Sequence, residues 1–288
     1  MYKISETELI ITEEKKIYHL GLSQNQISND IILVGDPSRV EVISKKFDKI
    51  IHQNSHREFK TCIGEYNNKK ITVISTGIGT DNIDIVVNEL DALVNIDFDT
   101  RKIKKNKKSL NLYRIGTSGA IHKSTLLDSF IISKYAIGFD NLAHFYKNES
   151  LLNNDLSKSF SEHANWPLKF GIPYSINASD ELLNKFSNIK NGITITSPGF
   201  YAPQGRQLRL KPSIDNLNNK LSSFKYSNYK ILNFEMETSA LYFLGRTLNH
   251  NTLTICAVLG NRSSNTYSRN YTQTISNLID LVLEKISK

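Results

Sequence analysis

Three short stretches of the chain set arginine beside turn-forming residues. In Leu112-Tyr113-Arg114-Ile115-Gly116-Thr117-Ser118-Gly119-Ala120-Ile121 an apolar run leads into two glycines and two hydroxyl residues. Arg114 offers a planar, permanently charged fork, and Thr117 and Ser118 add hydroxyl and backbone donors. That set suits a phosphate. The same stretch also reads as a plain buried strand ending in a tight turn, with Gly116 and Gly119 there for the backbone. In the second stretch, Gly35-Asp36-Pro37-Ser38-Arg39, Asp36 suits an N-cap and Pro37 a first helical position. Arg39 then falls in the first turn, where helix N–H groups carry partial positive charge, a second candidate anion site. Asp36 can be read as an acid, but the cap is the simpler role. His56-Arg57-Glu58 is the third stretch, and Phe234-Glu235-Met236-Glu237 adds two carboxylates near an expected helix start. Those carboxylates either face a substrate or complement the helix dipole, and spacing does not choose.

The elements that must hold these groups follow from periodicity. Ile31-Ile32-Leu33-Val34 reads as a buried strand, followed by a helix with Val40, Ile43 and Phe47 on one face. His56 to Cys62 and Lys70 to Thr76 read as a hairpin around Asn67-Asn68. Gly77-Ile78-Gly79 then leads into a helix from about Asp81 to Val94, and Phe130 to Ile132 and Tyr174 to Ile176 read as further strands. Residues 140–170 are polar and give no clear pattern. Ile193 to Thr196 is a strand feeding the loop Ser197-Pro198-Gly199-Phe200-Tyr201-Ala202-Pro203-Gln204-Gly205-Arg206, whose aromatic and amide side chains suit recognition. A helix is expected from Phe234 to His250, a strand from Leu253 to Leu259, and a last helix from Tyr271 to Ile286. Alternating strands and helices with hairpins between them argue for an α/β fold, a mixed sheet sandwiched between helices. No linker divides the 288 residues, so one domain is expected over 1–288, with an irregular arm at 1–18 and a basic insertion at 99–109.

The formal charge of +8 admits nucleic acid, a membrane surface or a small anion as partner. The run Arg101-Lys102-Ile103-Lys104-Lys105-Asn106-Lys107-Lys108 lacks interleaved aromatics. It therefore reads as a solvated loop and not as a base-stacking platform. No apolar run approaches the roughly 20 residues needed to cross a bilayer. Cys62 and Cys256 sit in apolar, strand-like surroundings, and the first residues lack an apolar signal region. A cytoplasmic protein with reduced cysteines is expected. No cysteine–histidine spacing suggests a metal.

Taken together and in order, these segments resemble the uridine phosphorylase branch of the nucleoside phosphorylase family. The resemblance starts at Tyr18-His19-Leu20-Gly21-Leu22 and Gly35 to Val40, and passes through His56 to Phe59 and Ser75 to Gly79. It continues through Arg114 to Ile121, then Phe200, Tyr201, Gln204 and Arg206, then Glu235-Met236-Glu237 and Asn261-Arg262. It implies a three-layer α/β/α sandwich and phosphorolysis: nucleoside plus phosphate gives ribose 1-phosphate and free base, without metal or covalent intermediate. By resemblance Gly35, Arg39, Arg114 and Thr117 bind phosphate, joined by Arg57 from a neighbouring subunit. Met236 and Glu237 hold the ribose, with His19 of a neighbour on its 5′-hydroxyl. Phe200 packs on sugar or base, Gln204 and Arg206 read the uracil edge, and Arg262 is a second arginine near the base. Arg114, Arg206 and Glu237 are the expected catalytic groups. Glu58 and Ile78 resemble positions at an intersubunit site for a monovalent cation. Shared sites require at least a homodimer, and the family suggests a hexamer of three dimers. The partners implied are a nucleoside and inorganic phosphate as co-substrate, with no other cofactor, no nucleic acid and no membrane.

Two departures bear on the base. Pro203 directly precedes Gln204, where the common bacterial form has Pro-Gly. Purine-specific relatives protonate the base with an Asp after the penultimate strand, whereas Gly260-Asn261-Arg262-Ser263-Ser264-Asn265 contains no carboxylate. Broader nucleoside scope, purines included, and nucleic-acid binding are the alternatives carried beside uridine.

Overall fold

The computed structural model describes residues 2–147 and 149–288. The chain starts with an irregular arm that closes on itself where Ile11 bridges Ile17. Strand β1 (Asp30–Val34) precedes α1 (Pro37–Ser44), and β2 (Lys49–His56), β3 (Phe59–Tyr66) and β4 (Lys69–Ser75) form an antiparallel meander. Helix α2 (Thr80–Asn95) follows, then the short pair β5 (Ile96–Asp97) and β6 (Lys102–Ile103). The long strands β7 (Asn111–Ala120) and β8 (Phe130–Gly138) come next, then α3 (Asn154–Ala164), β9 (Tyr174–Asn177), α4 (Asp180–Lys185) and β10 (Asn191–Thr196). The C-terminal part holds α5 (Leu217–Ser223), β11 (Lys225–Tyr226), β12 (Tyr229–Glu235), α6 (Thr238–Thr247), β13 (Asn251–Asn261), β14 (Thr266–Tyr267) and α7 (Tyr271–Ser287).

One sheet of 12 strands runs through the described residues, with the path β11-β12-β10-β8-β13-β7-β1-β4-β3-β2. It is mixed: β4, β1, β7 and β13 run parallel, while β13 and β8, and the meander, are antiparallel. Helices cover this sheet in the three-layer arrangement expected. Parallel central strands buried on both faces need continuous apolar runs. Accordingly Ile31, Ile32, Leu33 and Val34 have no exposed surface. Helix α2 turns Ile83, Val86, Val87, Leu90 and Leu93 inward at helical spacing. Each such side chain contributes roughly 1.5–3 kcal/mol on burial. Helix α2 packs on α6, and α6 on β8, β10 and β13, so the first turns of α2 and α6 arrive near each other above the sheet.

The structure corrects four sequence readings. The stretch 112–121 does not turn at Gly116: β7 continues to Ala120, paired with β13 along its length and with β12 at Gly119 and Ala120. Gly116 serves packing instead. A Cβ there would stand 2.0 Å from Arg114 Nη1 and 2.8 Å from Cys256 Sγ, so only glycine lets the guanidinium lie back along its own strand. Phe234 and Glu235 belong to β12 and not to a helix, which starts at Thr238. The pairing of β12 with β10 overrides the apparent helical spacing. Strand β2 went unread because it is an exposed edge strand with little apolar alternation. Arg57 and Glu58 then form the turn into β3, Arg57 with φ +53°. Finally, 99–109 is not wholly loop, since β6 pairs with β5 and Arg101 Nε donates to Ile4 O at 2.9 Å, tying down the N-terminal arm. Its lysines are largely exposed.

Candidate active site

A cleft of about 860 Å³ opens where the C-terminal end of β7 meets the first turns of α1, α2 and α6. Its floor is Arg114, Thr117, Ser118 and Gly119, with Gly35, Asp36 and Arg39 on one side. Glu58, Gly77, Ile78 and Asn82 form a rim, Met236 and Glu237 a second side, and Phe200, Gln204 and Arg206 a wall. Eleven of the expected residues therefore line one cavity: Gly35, Arg39, Glu58, Ile78, Arg114, Thr117, Phe200, Gln204, Arg206, Met236 and Glu237.

The floor is built on charge pairing inside the fold. Arg114 is 4 % exposed. Its Nη2 donates to Glu237 Oε2, and Nη1 lies 3.4 Å from Glu235 Oε2. Burial pushes the guanidinium toward losing its proton, but Glu237 and then Glu235 more than offset this and hold it charged. Burial likewise pushes the Glu237 carboxyl above the usual carboxylate range, against the pull of Arg114. We read the pair as ionised, since each charge offsets part of the cost of burying the other and Gly79 N adds a hydrogen bond to the carboxylate. Glu237 Oε1 also accepts from Gly79 N at 2.9 Å, which links the starts of α2 and α6 across the cleft. Gly79 takes φ +100°, outside the reach of ordinary side chains.

The two carboxylates of Glu235-Met236-Glu237 have different work. Glu235 Oε2 accepts from Glu237 N at 2.9 Å and Thr238 N at 3.0 Å, and Oε1 from Thr196 Oγ1 at 2.6 Å. It satisfies the free N–H groups of α6, the dipole-complementing role considered from sequence. Glu237 faces the cleft instead. Asp36 is likewise a cap: it accepts from Ser38 N at 2.8 Å and Ser38 Oγ at 2.7 Å. The Ser38 hydroxyl holds its carboxyl below the usual range. Arg39 donates through Nη1 to Ile115 O at 3.2 Å. Burial, and then the charge of Arg114, lower its proton affinity. The half-buried Arg39 beside the buried Arg114 sets two guanidinium groups on the cleft floor, the donor type an oxyanion takes, with Arg114 also answered by Glu237 and Glu235.

The wall is organised by arginine on aromatic. Arg206 lies 3.8 Å from the centre of the Phe200 ring and donates to Phe200 O at 2.6 Å and to Gln204 Oε1. With its oxygen engaged, the buried Gln204 amide has its two N–H donors left for a ligand. Burial and the neighbouring charge of Arg262 pull Arg206 down to about 10. Arg262, expected near the base, is not on the cleft wall. It stands behind the loop and donates to Gln204 O at 3.0 Å and Gly205 O at 3.3 Å. Asn261 is turned away as well: Nδ2 donates to His122 O and Thr125 O, and Oδ1 accepts from Ser263 N and Ser264 N.

His19 and Arg57 do not line this chain's own cleft. They form a cluster of their own, with Arg57 Nη2 donating to Tyr18 OH at 3.1 Å and His56 Nδ1 3.0 Å from His19 O. Glu58 and Ile78, expected near a monovalent cation, stand on the rim beside Asn82. One carboxylate with neutral oxygens nearby is the donor type a hard cation takes, but too few to complete a shell from one chain. Among the described residues no group of three or more His, Cys, Asp or Glu side chains is placed to hold a metal ion. No helix among them is long and apolar enough to cross a membrane. Sequence reasoning assigned no role to Asn82, and it read Ser118 only as a donor for an anion. Ser118 accepts from Asn233 Nδ2 at 2.9 Å, a bond between β7 and β12 that no local pattern announces.

Comparison with known proteins places this geometry. Residues 30–287 match the family described as the phosphorylase superfamily. A uridine phosphorylase of Thermococcus kodakarensis is 28 % identical over 267 residues, covering 90 % of this chain and 82 % of the relative. A DeoD-type purine nucleoside phosphorylase of Brevibacillus brevis is 31 % identical over 243 residues, covering 83 % and 85 %. A Trypanosoma brucei nucleoside phosphorylase, described as showing uridine phosphorylase activity, superposes with a TM-score of 0.87 at 26 % identity, over 96 % of this chain and 99 % of its own. With its fold, its cleft and this kinship in agreement, the chain belongs to the phosphorylase superfamily, among the nucleoside phosphorylases.

Proposed function

We propose that this protein is a uridine phosphorylase, a pentosyltransferase that reversibly converts uridine and phosphate to uracil and ribose 1-phosphate. The observation that carries the reading is the junction in one cleft of a two-arginine floor with a wall of Phe200, Gln204 and Arg206. Phosphate sits against Arg39, Arg114, Thr117 and the Gly35 backbone. Glu237 accepts hydrogen bonds from the ribose hydroxyls, with Met236 against the sugar. As the glycosidic bond loosens, positive charge grows on the sugar and negative charge on the base. Glu237 favours the first and Arg206 the second, and phosphate attacks from the opposite face. Catalysis on this account is positioning plus fixed electrostatics. His19 and Arg57 serve the cleft of a second copy, which makes a dimer the minimal active unit and accords with a hexamer. Their grouping away from this chain's own cleft supports that arrangement.

A second reading, purine phosphorolysis, is favoured by the purine nucleoside phosphorylase of Brevibacillus brevis at 31 % identity. Against it stands Asn261, a non-acidic residue wholly engaged in loop bonds. The test is product analysis with uridine, thymidine and inosine, each with and without phosphate. Uracil from uridine only in the presence of phosphate is expected. Hypoxanthine as the main product would overturn the roles of Gln204 and Arg206, and base release without phosphate would make the protein a hydrolase.

A further inference from the structure

Helix α2 carries one charged residue among its buried positions. Glu89 is 8 % exposed, and among the described residues its ion-pair partner is His19. No lysine or arginine compensates it, so its burial must be offset by hydrogen bonds. It accepts three. Oε2 takes Leu20 N at 2.9 Å, and Oε1 takes His19 N at 3.1 Å and lies 2.6 Å from His19 Nδ1. The turn above it is held firmly from other sides. Ile17, Leu20 and Leu22 are buried, Gly21 N donates to Ile17 O at 2.9 Å, and Asn54 Nδ2 donates to Leu20 O at 2.9 Å.

Satisfying two backbone N–H groups needs only acceptors. An ionised carboxylate does more at the ring: having no proton to give, it requires Nδ1 to carry one. The neutral imidazole then presents Nε2 as a bare acceptor, on a side chain that is 31 % exposed. We propose that Glu89 is a positioning residue that fixes the His19 tautomer, so that Nε2 accepts a hydrogen bond from the nucleoside 5′-hydroxyl in the cleft of a second copy. This rests on the uridine phosphorylase reading above. A glutamine at 89 supplies N–H donors of its own and removes the requirement for the proton on Nδ1. An aspartate keeps the charge on an arm one carbon shorter.

The test compares uridine with 5′-deoxyuridine on the same preparations of the wild type, Glu89→Gln and Glu89→Asp. The ratio of the two kcat/KM values is independent of how much enzyme is folded. Both variants are expected to lose roughly three- to tenfold on uridine, the worth of one hydrogen bond, and almost nothing on 5′-deoxyuridine. In a His19→Ala background Glu89→Gln is expected to leave the ratio unchanged, because coupling vanishes once the partner is gone. Equal losses on both substrates, or two insoluble variants, would assign Glu89 to folding alone and overturn the proposal. A wild type that cleaves no uridine would overturn the reading beneath it, a result distinguishable from an unchanged ratio in an active enzyme.

Discussion

The floor and the wall of the cleft are built on different principles. The floor stands on β7 and the junction of β12 with α6, where Arg114 is buried and answered by Glu237 and Glu235. The wall stands on a loop, where Phe200 is 50 % exposed and Gln204 is held through Arg206 and Arg262. On the proposed function the floor would bind phosphate and ribose, and it is anchored by the sheet. The wall would meet the base, and a few side chains set its shape. On that reading, recognition of the base would rest on the part of the structure that can change with least damage to the core.

Breaking the floor should have the largest effect. Arg114→Ala is expected to lower kcat/KM for any nucleoside by roughly 10²–10³ in steady-state assays. It should also destabilise the fold by about 3–5 kcal/mol in denaturant titration, because Glu235 and Glu237 lose the cation between them. A variant as stable as the parent would remove the pairing from the account of the floor. Breaking the wall should be milder and selective. Gln204→Ala is expected to raise KM for uridine by about tenfold, leaving KM for phosphate near its original value. Equal effects on both constants would take Gln204 off the base. Smaller still is Arg262→Ala, which removes two hydrogen bonds to the backbone of Gln204 and Gly205 at a side chain that does not itself line the cleft. A rise of roughly threefold in KM for uridine is expected. A loss as large as that of Gln204→Ala would put Arg262 in direct contact with the base and blur the division drawn here.

The two regions were also unequally legible in the sequence. Arg114, Arg39 and the Asp36-Pro37 cap could be found by residue type and spacing, because anion chemistry and helix starts use few residue types. The floor's actual form could not. Gly116 reads as a turn until Cys256 of β13 and the Arg114 guanidinium are seen pressing on it. Glu235 and Glu237 are indistinguishable in one dimension, since what separates them is which side of a strand-to-helix junction each takes. Phe234 looked helical because its pairing partners are distant in sequence, at Ile195 and Gly119. On the wall, residue type alone marked Phe200, Gln204 and Arg206 as an aromatic and amide-rich loop, and their expected roles at the base came from the resemblance. Long-range hydrogen bonds such as those of Glu89 and Arg262 leave no local trace.

Asn261 bears on how this chain can diverge. Its amide joins two segments, donating to the carbonyls of His122 and Thr125 and accepting from Ser263 and Ser264. An acid grafted here would set a carboxylate oxygen against two carbonyls in place of an N–H₂ group, and the turn after β7 would be pushed apart. The one-base route from Asn to Asp therefore costs at least one of these two hydrogen bonds, since even a protonated carboxyl has a single O–H to give. An acid at this position is thus coupled to the turn holding His122 and Thr125, and a change of substrate there would be felt in the neighbouring turn as well as in the site.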